Sequence, residues 1–148
     1  MTRYQAERLK ELIEEIIHCC QERIVFQSRK FHLAPAELRL LLLFKHERYL
    51  TVKSIAQKME VAKSRVTKLM EGLLEKKLVQ RIEDPEDARI KLISLTAAGH
   101  KKYEDIDAFI SDIHHDLVMH LKSEDRKSVL SSMELLRSAM EAVKERLV

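Results

Sequence analysis

Donor side chains gather on one face of a helix that the sequence predicts from about Lys63 to Lys76. Apolar residues recur there at the spacing of a helix with one buried side. They are Val66, Leu69, Met70, Leu73 and Leu74. The opposite side carries Lys63, Ser64, Arg65, Lys68 and Glu71. Arginine and serine donate to base edges, while lysine and threonine suit phosphates. A charged face on one helix is ordinarily only a solvated surface, so its neighbours decide what it does.

The periodicity changes after residue 78, where two short segments rich in β-branched residues flank a charged turn. Val79–Ile82 and Arg89–Leu95 have the composition of strands, and Glu83–Ala88 between them has that of a turn. The pattern predicts a β-hairpin with an exposed tip that carries both signs of charge.

A short helix is predicted just before the donor-bearing helix. Thr51 is suited to cap its start, and its inward-facing residues are Val52, Ile55, Ala56 and Met59. Two helices joined by a tight turn and followed by a hairpin form a winged helix-turn-helix. In such a unit the second helix enters a major groove and the hairpin lies along the neighbouring minor groove. This order favours a DNA-binding face over a merely solvated one.

Further helices are predicted on both sides of this unit. Helical spacing indicates one from Tyr4 to about Lys30, a second from Pro35 to about Glu47, and another that Thr96 caps. In the last helix the apolar residues step by 3, 4, 3 and 4, which is the seam of helices that pack together. Because so short a chain has no other surface to cover this seam and the stripe of the first helix, we expect a homodimer. The residues expected at its interface are Leu9, Leu12, Ile16, Met133, Leu136, Met140, Val143 and Leu147.

The predicted fold is mostly α with a small β-hairpin wing, a winged helix-turn-helix plus a helical dimerisation layer. We expect one domain over residues 1–148. Residues 33–95 would form its winged helix-turn-helix DNA-binding part, and residues 1–32 and 96–148 its helical dimerisation part. The chain has only two Gly and two Pro, which favours helices because all-β folds need many turns.

Composition is that of a globular protein whose expected location is the cytoplasm. The longest apolar run, Leu40–Phe44, is far shorter than the roughly 20 residues needed to cross a bilayer, and the N-terminus lacks a signal-peptide pattern. The net charge is +3, with 10 Lys and Arg against 7 Asp and Glu in residues 51–91. Neither a Gly-rich phosphate loop nor a Gly-x-Ser-x-Gly elbow occurs, so we expect no enzyme, no cofactor and no bound metal.

In the segments predicted to form the helix-turn-helix and the wing, the sequence resembles the multiple-antibiotic-resistance-regulator (MarR) family of transcriptional regulators. The resemblance covers nearly the whole chain, because the flanking helices match the family's dimerisation layer. The segments that carry it keep the family's order and spacing. They are residues 50–56, 66–70, 78–79, 84–89 and 95–99.

The resemblance implies an obligate dimer that reads a pseudo-palindromic operator on double-stranded DNA. It also implies a repressor that is released by a small phenolic or lipophilic effector or by oxidation. On the wing, the family's acid, here Asp87, orients an arginine, here Arg89, that enters the minor groove. The full set of expected DNA contacts is Thr51, Lys63, Ser64, Arg65, Thr67, Lys68, Asp87, Arg89 and Lys91.

Several residues depart from the family pattern. Glu60 and Lys77 stand where a glycine is common, Ala62 where a serine usually caps the recognition helix, and Ala88 where a second wing arginine is frequent. Losing a cap hydroxyl costs about 1 kcal/mol. Gly72 lies inside the recognition helix, where glycine costs about 1 kcal/mol relative to alanine, and nothing in the sequence explains it.

Two alternative functions remain open at this level. Cys19 and Cys20 could make the protein a redox-responsive regulator, although a free cysteine is commonly only a small buried hydrophobe. The winged helix could instead be a protein-interaction module. His114, His115 and His120 lie near carboxylates, but adjacent helix residues point about 100° apart and do not converge on a metal. We expect an effector in a cleft between the helical layer and the winged domain, lined by the first, second and fifth helices.

Overall fold

The computed structural model describes residues 1–148 as six α-helices and one two-stranded antiparallel sheet. The helices are α1 (Thr2–Phe31), α2 (Pro35–Leu42), α3 (Val52–Met59), α4 (Lys63–Glu75), α5 (Ala97–His120) and α6 (Arg126–Glu145). The strands β1 (Val79–Glu83) and β2 (Lys91–Leu95) pair in register, with Val79 opposite Leu95 and Glu83 opposite Lys91. The predicted helical fold with a β-hairpin wing is confirmed.

The chain forms two compact units, residues 1–107 and residues 108–148. The first unit contains α1 to α4, the hairpin and the start of α5. The second contains the remainder of α5 and all of α6. Every residue of the expected DNA-contact set lies in the first unit.

The core of the first unit lies behind α3 and α4. Its fully buried side chains come from α2, α3, α4, β2 and α5, so that all these elements share one apolar interior. They are Leu40, Leu41, Ile55, Val66, Met70, Leu73, Ile93 and Ile106. A bridge between Leu50 and Ile93 joins the segment before α3 to the wing. The buried side of α4 packs on this interior, which leaves the opposite side of the helix exposed.

Three helices end on a non-glycine residue in the left-handed region. The φ angle is 54° at His32 after α1, 56° at Glu60 after α3 and 60° at Lys77 after α4. Glycine ordinarily takes this position because it has no Cβ, whereas other residues lose about 1–2 kcal/mol there. Glu60 and Lys77 are the two positions at which the family resemblance implies glycine, and their backbone angles give the physical reason.

An apolar residue follows each of these three left-handed residues and anchors the helix end. Its N–H donates to the carbonyl oxygen five residues earlier, which is the bond of a Schellman motif. The bonds run from Leu33 to Ser28 at 3.1 Å, from Val61 to Ala56 at 3.1 Å and from Leu78 to Leu73 at 3.0 Å. Leu33 and Leu78 are buried, so apolar burial offsets the backbone strain.

The start of α5 is locked against the end of α4. Thr96 caps α5, because its hydroxyl accepts from the Gly99 N–H at 3.0 Å, and it also donates to the Lys77 carbonyl at 2.7 Å. A Cβ at Gly99 would lie 1.9 Å from the Leu78 carbonyl oxygen. Glycine is therefore required here for close approach.

Several predicted boundaries are wrong. Helix α1 begins at Thr2 and not at Tyr4, and strand β1 ends at Glu83 and not at Ile82. The α-helix from Pro35 ends at Leu42 and continues only as a 3-10 turn through Lys45, not as α-helix to Glu47. Strand β2 begins at Lys91 and not at Arg89. The reason is a closed turn ahead of it, in which the Ile90 N–H donates to the Asp87 carbonyl at 3.0 Å.

Helices α1 and α6 leave most of their apolar residues exposed. Only Gln27 and Phe31 are buried in α1, and no residue of α6 is buried. No helix in the structure has both the length and the apolar character needed to cross a membrane. Exposed apolar faces of this extent on two helices require an explanation.

Replacing Lys77 with glycine should raise the free energy of unfolding by about 0.5–1 kcal/mol. Relief of the left-handed strain exceeds the extra conformational entropy that glycine gives the unfolded chain. Lys77→Ala keeps the Cβ and is the matched control, so it should leave stability nearly unchanged. Urea unfolding at one protein concentration measures both variants. Equal stabilities for the two variants would contradict strain at this residue.

Candidate nucleic-acid interface

Helix α4 exposes each donor that the sequence singled out and buries its opposite side. Val66, Met70 and Leu73 are all 0% exposed. The exposed residues are Lys63, Ser64, Arg65, Thr67 and Lys68. Because helix residues advance by about 100°, Ser64 and Lys68 lie opposite the buried side, and Arg65 flanks them. The face can donate to several acceptors at once.

The first turn of α4 lacks a side-chain cap. Ala62 occupies the N-cap position with extended angles, φ −68° and ψ 150°, and no side chain accepts from the first backbone amides. Arg65 N–H donates to the Ala62 carbonyl at 3.1 Å, and the Thr67 hydroxyl donates to the Lys63 carbonyl at 3.0 Å. An uncapped helix N-terminus is electropositive, which suits the approach of a phosphate.

Thr51 has a structural task at the start of α3. Its hydroxyl accepts from the Ser54 N–H at 3.1 Å, and the Ser54 hydroxyl accepts from the Thr51 N–H at 3.0 Å. This reciprocal pair is a capping box. The predicted cap is confirmed, and any contact of Thr51 with DNA would come from a side chain that already holds α3.

The wing carries a chelated arginine. Asp87 Oδ1 accepts from the Arg89 backbone N–H at 3.0 Å and from Arg89 Nε at 3.1 Å, and Oδ2 accepts from Nη2 at 3.1 Å. The Arg89 side chain is nonetheless 90% exposed. The Arg89 side chain and then its backbone N–H hold the pKa of Asp87 below its usual range. The arginine is oriented while its outer surface stays accessible.

Lys91, like Arg89, already pairs with a carboxylate within the wing. Its Nζ lies 2.9 Å from Glu83 Oε1 across the two strands. An exposed cross-strand pair of this kind contributes little. Lys91 would have to exchange this carboxylate for a phosphate.

The sequence did not predict a buried ion pair between α2 and the end of α4. Glu37 is 6% exposed, and its Oε1 accepts from Lys76 Nζ at 2.8 Å. A Cβ at Gly72 would lie 2.7 Å from Glu37 Oε2, which explains the glycine inside this helix. The signals were a glutamate three residues after a helix start and a mid-helix glycine. Neither signal identifies the other residue as its partner.

The residues expected at a dimer interface have largely exposed apolar side chains and lie on α1 and α6, except Leu147, which was predicted on the last helix but follows its end at Glu145. On α1, Leu9 is 44% exposed and Ile16 is 55% exposed. On α6, Met133 is 59% exposed, while Leu136 is half-buried. The other four, Leu12, Met140, Val143 and Leu147, are also exposed.

The candidate sensor residues lie on α1 and α5. Cys19 is exposed and Cys20 is half-buried, and both are free thiols. His114 and His120 each place Nδ1 within hydrogen-bonding distance of a carbonyl four residues earlier. No group of three or more His, Cys, Asp or Glu side chains could hold a metal ion.

Sequence comparison finds relatives among helix-turn-helix regulators. The chain is 32% identical over 90 residues to the transcriptional regulator TcaR of Staphylococcus aureus (strain Newman), covering 59% of each chain. It is 31% identical over 94 residues to the repressor MdtR of Bacillus subtilis (strain 168), covering 64% of this chain and 61% of MdtR. These matches span less than two thirds of either relative. YdgG of B. subtilis, also named as such a regulator, is 30% identical over 109 residues, covering 72% of each chain.

Structural comparison finds the same fold in solved regulators. YusO of B. subtilis superposes with a TM-score of 0.78 at 25% identity, over 94% of this chain and 99% of YusO. The S. aureus MepR–DNA complex superposes with a TM-score of 0.72 at 23% identity, over 88% of this chain and 98% of MepR. At 23% identity, the likeness to MepR shows a shared fold and nothing further.

Arg89→Ala should raise the pKa of Asp87, because the guanidinium lowers that pKa more than the backbone N–H of Arg89 does. The backbone N–H remains, so the rise is partial. In the wild type the ion pair persists as the pH falls, until it passes the lowered pKa of Asp87. Carboxyl carbon shifts in an NMR titration measure this. Arg81→Ala removes a wing arginine that does not influence Asp87 and is the control; equal titration curves in all three proteins would refute the chelate.

The sequence profile of the MarR family matches residues 33–90. That range contains α2, α3, α4, β1 and the wing turn with Asp87 and Arg89. With YdgG aligned over 72% of both chains and the fold shared with YusO, the chain belongs to the MarR family.

Proposed function

We propose that this protein is a sequence-specific DNA-binding transcriptional regulator, a cytoplasmic homodimer that acts as a repressor until a small ligand releases it. The observation that carries the proposal is the exposed donor face of α4 beside a wing whose arginine is oriented and accessible. The names of TcaR and MdtR as regulators support it. So does the MepR–DNA complex, which has the same fold.

The two DNA-reading elements have different chemical tasks in this proposal. Arg65 lies in the first turn of α4, from which a guanidinium can bind guanine O6 and N7 in the major groove. Arg89 would enter a minor groove, where an arginine reads groove width and potential and no unique base code. Thr51, Lys63, Ser64, Thr67, Lys68 and Lys91 would supply the remaining contacts to bases and phosphates.

Arg65→Ala should relax preference at one base position of each half-site, a loss of about 1–3 kcal/mol of discrimination. Arg89→Ala should weaken binding to many sequences, most of all to sites flanked by A·T-rich steps, and flatten the salt dependence. Gel shifts on DNA upstream of the protein's own gene and on scrambled DNA, at two salt concentrations, measure both effects.

Arg3→Ala is the matched control, because it removes an exposed arginine at the far N-terminus of α1. It should bind like the wild type. Unchanged affinity in both Arg65→Ala and Arg89→Ala would refute the interface. If the wild type binds protein but shows no salt-dependent DNA binding, the chain is an interaction module.

We propose that a second copy of the chain covers the apolar faces of α1 and α6. Apolar surface of this extent is unfavourable in water, at roughly 25 cal/mol per Å², and α6 has no buried residue to justify its seam. Met133, Leu136 and Met140 line a groove along α6 that suits a packed helix. Two-fold symmetry would present two copies of α4, which matches a pseudo-palindromic operator.

Met140→Lys combined with Leu147→Lys should shift the protein from dimer towards monomer and lower both its stability and its DNA affinity. Ser131→Lys combined with Ser138→Lys adds the same two charges on the opposite face of α6 and should leave the dimer intact. Sedimentation velocity over a range of protein concentrations distinguishes the variants. A folded wild-type monomer would overturn this assembly.

We propose that the effector binds in a hollow of about 250 Å³ within the first unit. Its walls are Phe31, His32, Leu33, Lys76, Leu78 and Lys102. These residues belong to α1, to α5 and to the segments that follow α1 and α4, whereas the sequence led us to expect a cleft lined by α1, α2 and α5. Lys76 and Lys102 donate to the carbonyls of His32 and Phe31 at 3.2 and 3.3 Å. Apolar walls with two ammonium groups suit a small phenolic acid.

Salicylate at millimolar concentration should raise the melting temperature and weaken DNA binding, because it would bind the folded state through Lys102. Lys102→Met keeps the length of the side chain without its charge and should lose both effects. Lys101→Met removes the neighbouring exposed lysine as a control. Equal responses in wild type and Lys102→Met would place the effector elsewhere.

A further inference from the structure

Glu37 places a buried carboxylate between α2 and α4. The residue is 6% exposed, and its neighbours on α2, Leu38, Leu40 and Leu41, are buried apolar side chains. A buried carboxylate is unfavourable unless it is paired and hydrogen-bonded. The Glu37 side chain must therefore keep its hydrogen-bond partners, because losing them would destabilise the fold.

The carboxylate has a partner on each of two helices. Oε1 accepts from the Ala34 N–H at the start of α2 at 2.8 Å, and from Lys76 Nζ at the end of α4 at 2.8 Å. Both are charge-assisted hydrogen bonds, which are the short and strong kind. The ammonium also donates to the His32 carbonyl at 3.2 Å. The ends of α1 and α4 and the start of α2 thus meet at one carboxylate.

Gly72 allows α4 to approach this carboxylate closely. An added Cβ would lie 2.7 Å from Glu37 Oε2, well inside ordinary contact. A flexible glutamate could swing away, but this one is held by Ala34 and Lys76 and is enclosed by the core. Gly72 and Lys76 are four residues apart and therefore share a face of α4. The helix is held at two points one turn apart.

We propose that Glu37 is a positioning residue that sets the axial rotation and depth of the recognition helix α4 through Gly72 and Lys76. The inference rests on the proposed DNA-binding function. Arg65 lies seven residues before Gly72, which is two turns and nearly the same angle around the axis. A displacement at Gly72 therefore moves the stripe of α4 that carries Arg65. Base contacts depend on such geometry more than phosphate contacts do.

Gly72→Ala tests the proposal because alanine by itself favours helix. The added methyl group should push α4 from the carboxylate, so affinity for the upstream DNA should fall about tenfold, the scale of one lost base contact. Affinity for scrambled DNA should change much less. Adding Glu37→Asp shortens the acid by one methylene and should restore much of the loss. Glu75→Ala, which removes an exposed acid from the same helix, should have no effect.

A measurement without DNA separates this proposal from the proposed function. Amide NMR shifts of residues 63–68 should change in Gly72→Ala and return towards wild type with Glu37→Asp added. If they do so while the wild type binds no DNA, α4 is positioned as proposed but the DNA-binding function is wrong. If shifts stay confined to the turn around Gly72, or specific and scrambled affinities fall together, Glu37 only stabilises the fold and the proposal is overturned.

Discussion

The apolar interior behind α4 is the constraint on which the rest of this structure depends. Val66, Met70 and Leu73 are excluded from water, and this burial forces the polar residues of the same helix outward. The β2 residue Ile93 and the α5 residue Ile106 share the interior. The hairpin and α5 are therefore packed against the same core as α4. One hydrophobic core thus supports the helix and the wing that together form the candidate DNA interface.

Local patterns predicted most of the fold. The buried face of α4 and the capping role of Thr51 depend on residues within a few positions of one another. The left-handed angles at Glu60 and Lys77 were not predicted, although the family resemblance implies glycine at both positions. The contact between Glu37 and Gly72 was not predictable, because it joins residues 35 positions apart through backbone geometry. The turn conformation of Arg89 was missed for a different, local reason. A β-branched neighbour indicates a strand, but the Asp87 hydrogen bonds decide the backbone.

Helices α1 and α6 differ from α4 because their apolar faces are largely exposed. Their apolar spacing is as regular as that of α4, yet residues such as Ile16 and Met140 stay more than half exposed. Periodicity therefore predicted which side of each helix is apolar but not what covers it. Covering such faces with a second chain, as we propose, would make folding and association a single equilibrium, so that stability would depend on protein concentration.

We expect the fold to open first at the three helix ends that carry left-handed residues. Each end combines a strained residue with one hydrogen bond to the carbonyl five residues earlier, donated by the amide of Leu33, Val61 or Leu78. Brief fraying of a helix end relieves the strain and breaks that bond, whereas amides in the middle of α4 need larger unfolding. Hydrogen exchange at these three amides therefore reports the opening of each corner separately. The α3–α4 corner at Val61, whose side chain is only half-buried, has the least apolar burial to resist it.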